Sequence, residues 1–171
     1  MTTTDVPSKR PASRLAGPYG HPFHPQVVTL PIGAFTASLL FDLGARLGWI
    51  DPGGAAFASA WLLVIGIAGA LLAMALGVMD LSTIPDKTKA SRTAVVHGSV
   101  NSVATVILAL SAFVRFSRGT DDVPLVAFAL SVAGLLVLGL GGWLGGKLAY
   151  TYGVRVARET LQQEGYRSTA V

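Results

Sequence analysis

A chain of 171 residues that is 51% apolar, 13% charged and free of cysteine excludes disulfides, thiolate metal sites, thiol nucleophiles and haem attachment through Cys-x-x-Cys-His. The net charge of +4 does not point to nucleic acid, because no basic patch is interleaved with aromatics and the basic residues flank long apolar runs. A soluble domain would give every helix a wet face; here the charges fall in clusters, and about four spans of ~20 residues fit the length.

Residues 1–20 read as a disordered basic arm, rich in Thr, Ser and Pro, with Lys9, Arg10 and Arg14 set against Asp5. A cleavable signal is not expected, since the apolar run starts only at Val27 and is long enough to span. The first span, about 27–49, is entered through His21-Pro22-Phe23-His24-Pro25, and either Pro25 or Pro31 suits a helix start, where the missing N–H costs nothing. Asp51-Pro52-Gly53-Gly54 then reverses the chain.

The second span, about 57–79, is uncharged, and Gly69, Ala73 and Gly77 lay a stripe of small side chains along one face for close helix packing. Asp80 ends it. The third span, about 93–114, carries His97, Asn101 and Thr105 at a spacing of four, so they share a face that should turn away from lipid. A short loop with Arg115, Arg118, Asp121 and Asp122 leads to the fourth span, about 123–146, whose Gly141-Gly142 and Gly145-Gly146 again offer close contacts. The domain plan is therefore an arm at 1–20, a membrane domain at 21–156 and a tail at 157–171, partly helical and disordered after Gly165.

Orientation follows from the basic residues. Ten lie in the arm, the central connection and the tail, and three on the opposite side, which predicts both termini in the cytoplasm of a multi-pass membrane protein. That topology brings His21, His24, Asp80, His97, Asn101 and Tyr150 to one end. Two readings stay open for this cluster. Histidines with a carboxylate suit a transition metal, and two imidazoles from different segments suit a haem, with His21, His24 and His97 as the ligands. The alternative is that His21 and His24 only satisfy helix ends and headgroups, with His97 hydrogen-bonded to a facing helix. Asp42 is separate: Arg46 follows four residues later, so an intramembrane ion pair is expected, as a structural feature or as part of a proton or cation relay. No nucleophile arrangement, phosphate loop or close carboxylate pair suggests an enzyme, and no inverted repeat relates the halves.

Gly20-His21-Pro22-Phe23-His24-Pro25, Pro31-Ile32-Gly33, Asp42, Asp80, His97, Gly141-Gly142 and Leu148-Ala149-Tyr150-Thr151-Tyr152-Gly153-Val154 together resemble the bacterial membrane family called domain of unknown function 2231, over about 20–156. The resemblance implies a four-helix membrane domain. Some relatives are joined to Rieske or c-type cytochrome modules, which implies a redox setting, and many carry Tyr-x-His-Gly where this chain has Tyr150-Thr151-Tyr152-Gly153. The expectation is an all-α bundle of four transmembrane helices in the lipid bilayer. It has no evident catalytic site and is an accessory subunit beside other membrane subunits or copies of itself. The alternatives are a haem- or metal-bearing electron-transfer protein and a small channel or transporter.

Overall fold

The structure, a computed structural model, describes residues 6–119 and 121–166; expectations for 1–5 and 167–171 fall outside the described residues. It is all-helical, with no strand among the described residues, and four helical segments are long and apolar enough to cross a membrane: Phe23–Arg46, Pro52–Leu81, Lys89–Arg118 and Leu125–Thr151.

The first span is broken into α1 (Phe23–Val27) and α2 (Thr29–Arg46). Pro31 has no N–H to return to the Val27 carbonyl, so the ladder loosens one turn before it. Neither proline starts the helix; Pro22 caps it and Pro25 sits in the first turn. Next, α3 (Pro52–Leu81) begins with Asp51 accepting from Gly54 N at 2.8 Å, and α4 (Lys89–Arg118) with Thr88 accepting from Ser91 N at 3.0 Å. α5 (Leu125–Gly146) runs into a π turn at Lys147–Thr151, and α6 (Glu159–Glu164) ends the described tail.

The pairs α2–α3, α3–α4, α4–α5 and α5–α2 pack in a closed ring, so α2 and α4 face each other across the diagonal. Phe35, Leu63, Ala70, Leu108 and Ala112 form the central core. Large residues such as Leu40, Leu71, Val106 and Leu136 point outward on all sides, as lipid-facing helices require. The up-down-up-down order puts the first and last described segments at one end of the bundle.

The two hairpins repeat each other. His24, Phe35, Ser38 and Asp42 match His97, Leu108, Ser111 and Arg115 at one offset of 73 residues. On the return helices Gly66, Ala73 and Gly77 match Gly134, Gly141 and Gly145, again at constant offset. The contacts repeat with the residues. Phe35 fills the space over Gly66 and Leu108 that over Gly134, while Ser38 donates to the Ser59 carbonyl and Ser111 to that of Ala127. The halves are thus parallel repeats about an axis along the bundle, the relation that an inverted-repeat reading of the sequence does not seek.

Residues 6–20, expected as disordered, instead fold back on the bundle. Two short 3-10 turns, Pro7–Lys9 and Arg14–Ala16, bury Ser8 and Ala16. The reason is Arg155, which holds them from the other end of the chain.

Candidate functional site

Polar groups gather at the two ends of the bundle, and they differ in kind. At the end away from the termini, the third span runs past its expected limit, so Arg115 belongs to α4 and is buried rather than lying in a loop. Its Nη1 donates to Asp42 Oδ1 at 2.8 Å and to Ser59 Oγ at 2.9 Å, and its Nη2 donates to Asp42 Oδ2 at 2.6 Å and to Ser131 Oγ at 3.1 Å. Nε reaches Ser111 Oγ at 3.4 Å. All five guanidinium hydrogens have acceptors, and both carboxylate oxygens have donors. The serines complete the account: Ser59 donates to the Ala56 carbonyl at 3.1 Å and Ser111 to the Ala127 carbonyl at 2.7 Å.

The partner of Asp42 is therefore Arg115, not Arg46. Arg46 turns outward, donating to the Val123 carbonyl at 2.9 Å with its guanidinium 4.5 Å from the Phe128 ring centre. The helical i, i+4 spacing offered Arg46, but an exposed side chain near the helix end reaches the interface more cheaply than it turns inward.

At the termini end, His24 and His97 come together from α1 and α4, ring centres 6.3 Å apart and planes at 89°. His24 Nδ1 lies 2.8 Å from the Ala73 carbonyl and His97 Nδ1 2.9 Å from the Gly141 carbonyl. A carbonyl only accepts, so in each ring Nδ1 carries the hydrogen. Gly77 and Gly145 give the rings room: a Cβ would stand 3.2 Å from His24 Cε1 at the first and 3.0 Å from His97 Cε1 at the second. The small-residue stripes seen in the sequence are thus sockets for the histidines. Asn101 donates to the His97 carbonyl at 2.8 Å and Thr105 to the Asn101 carbonyl at 2.9 Å, so the polar face of α4 is largely spent on its own backbone.

The other expected members stand apart. His21 is exposed ahead of α1, and Tyr150 is 92% exposed on the π turn. Asp80 engages Arg155: Nε lies 2.9 Å from Oδ1, close enough for an ion pair though not aligned as a hydrogen bond. Arg155 Nη2 donates to the carbonyls of Ala16, at 2.8 Å, and Gly17, at 3.2 Å, and its backbone N to that of Ser8 at 2.9 Å. Among the described residues no group of three or more His, Cys, Asp or Glu is arranged to hold a metal ion.

Arg115, Ser59, Ser131 and Arg155 are the residues that sequence reasoning missed. The first has a legible signal, the register that pairs His24 with His97 and carries Asp42 onto Arg115.

No curated protein and no solved structure shows significant similarity to the chain. The model of a family described as predicted membrane protein, DUF2231, matches residues 20–158, and with the hairpins and both histidines inside those limits the chain belongs to that family.

Proposed function

We propose that the chain is a non-enzymatic integral membrane protein with both ends in the cytoplasm. It serves as an accessory subunit that presents the histidine end of the bundle, and it is not a conduit. One observation carries this reading: the only charges deep in the outer half, Asp42 and Arg115 among the described residues, are fully satisfied by each other and by three serines. A relay needs a group that changes partners, and releasing either member leaves a buried charge at a cost of about 3–5 kcal/mol. The paired histidine rings lie at the other end, so a bound group or a neighbour is served there.

Flux measurements in proteoliposomes test the conduit question. Proton and potassium leakage at the level of empty vesicles is expected for the wild type; flux abolished by Asp42→Asn overturns the reading. Native mass spectrometry of complexes ejected from the source membrane tests the accessory role. A heteromeric mass is expected, and the chain found only alone removes that role.

A further inference from the structure

We propose that His24 and His97 hold one transition-metal centre between them through their Nε2 atoms, with the remaining coordination positions filled from outside the chain, by a porphyrin or by exchangeable small ligands. This extends the role proposed above by naming what the histidine end carries.

The chemistry of the two rings supports it first. With Nδ1–H given to a backbone carbonyl on each side, the neutral imidazole keeps its lone pair on Nε2. Metal-binding histidines are held in that way almost without exception: the far N–H goes to a carbonyl or carboxylate, which fixes the tautomer and makes the ligating nitrogen more basic. Here the device occurs twice, at equivalent positions of the two hairpins. A histidine retained only to satisfy a helix would need the arrangement once, and its partner position would be free to be apolar.

The spacing supports it second. Two imidazoles bound through nitrogen on opposite sides of one ion, with metal–nitrogen bonds of about 2.0 Å, place their ring centres roughly 6 Å apart. The observed separation is 6.3 Å, and perpendicular planes are open to ligands in trans. Asn101 Nδ2 stands 3.4 Å from His97 Nε2 and gives one of its two hydrogens to the His97 carbonyl, so its second hydrogen is the group a metal displaces from the Nε2 lone pair.

The ligand count sets the class. Two imidazoles with no third His, Cys, Asp or Glu grouped with them among the described residues fall short of the three or four that a closed zinc site takes, whereas an iron porphyrin supplies four nitrogens of its own and asks the protein for two. A free ion of the imidazole-preferring kind, copper, nickel or zinc, would instead complete its shell with solvent or small anions. The shared chemistry is one metal centre on two histidines, and its source is what the experiment separates.

The full chain is expressed with a haem precursor and with iron, copper, nickel and zinc in the medium, then purified in mild detergent. Its absorption spectrum, oxidised and dithionite-reduced, is recorded alongside elemental analysis. About one centre per chain is expected. A Soret band that shifts on reduction identifies porphyrin iron; a preparation without a Soret band and with one equivalent of bound ion identifies a free metal. In either case occupancy should fall below about a tenth in His24→Ala and in His97→Ala and stay unchanged in His21→Ala, as loss of a ligand exceeds the 10–100-fold of an outer contact. His24→Gln and His97→Gln, which keep a donor for the carbonyl, serve where the alanine variants fail to fold. Gly145→Ala, whose Cβ would press on His97 Cε1 at 3.0 Å, should weaken binding about 10–100-fold. A wild type with neither haem nor stoichiometric metal overturns the proposal, as does occupancy that survives the loss of both histidines. The flux and subunit measurements above are untouched by that failure, so the two readings fall separately.

Discussion

Asp42 and Arg115 occupy the same position in two repeated hairpins and meet across the diagonal of the bundle, 2.6 Å apart at their closest atoms. An axis between the hairpins brings equivalent positions face to face. Identical charges there would repel, and opposite charges in the two copies make a pair. Asp42→Asn should destabilise the protein by about 3–5 kcal/mol, because the Arg115 charge stays buried without its counter-ion. The exchange Asp42→Arg with Arg115→Asp should recover part of that loss: the charges still pair, but the positions that mirror Ser59 and Ser131 are Ala127 and Leu63, which accept no hydrogen bond from the moved guanidinium. Denaturant unfolding in detergent, followed by circular dichroism, measures both. A double exchange no more stable than the worse single variant would sink the symmetric account.

The repeat also predicts which glycines are indispensable. Phe35 lies against Gly66, and a Cβ on Gly134 would stand 2.6 Å from Leu108 Cγ. Gly66→Ala and Gly134→Ala should each cost about 1–3 kcal/mol through overpacking. Gly139→Ala and Gly142→Ala, with open space beside them, should be close to neutral. Equal gains of about 1 kcal/mol at all four would mean that helix propensity, which favours Ala over Gly, and not socket shape, decides.

Much of the fold was legible because it follows from length and polarity. Four apolar runs separated by charge clusters leave few alternatives to four spans, and an even number of spans brings the ends together. His97 and Asn101 could be assigned to an inward face from their spacing alone. What sequence could not give is which residues meet across helices: Asp42 had a local partner in Arg46 and a true one 73 residues away. Local rules score neighbours on one helix, and a buried pair is chosen by the diagonal of a bundle that does not yet exist on paper. The arm was misread for a related reason. Its composition resembles disorder, yet its Ala16 and Gly17 carbonyls are gathered by Arg155 from the far end of the chain.

Arg155 is therefore expected to act as the latch of the arm. It has a left-handed backbone, φ 60°, which an L-residue keeps only when its surroundings hold it there, at a cost on the order of 1–3 kcal/mol. Arg155→Gly relieves the backbone and removes the latch; Arg155→Ala removes the latch alone. Both should raise amide exchange across residues 8–17 while leaving the central core protected, with the alanine variant the less stable of the two. Exchange that stays slow in the arm would show that other contacts hold it.

The shared end of the two termini is a feature of the helix order, while the side of the membrane it faces is a prediction from charge. Ten basic residues there, against three at the other end, favour the cytoplasm. A fluorescent protein that matures only in the cytoplasm, joined after Val171, should be bright, and an enzyme active only outside, joined between Asp121 and Asp122, should be active. The reverse pattern would place the histidine pair on the outer face.

Two hairpins that repeat each other should also assemble when unlinked. Within the connection between α3 and α4, Lys87 has φ 59°, so a cut beside it removes strain and breaks no helix. The fragments 1–86 and 87–171 keep every hydrogen bond within each hairpin, including His24 to the Ala73 carbonyl and His97 to the Gly141 carbonyl. Packing of α3 on α4 and of α2 on α5, together with the Asp42–Arg115 pair and the contacts of Arg155 with Asp80 and the arm, is what remains to join them. Co-expressed, the fragments should co-purify as a one-to-one complex. Asp42→Arg in the first fragment should abolish this, and adding Arg115→Asp in the second should restore it. Failure of the wild-type fragments to associate would mean that the covalent link, and not complementarity across the axis, holds the halves together; association insensitive to Asp42→Arg would leave packing and the Arg155 contacts as the adhesive.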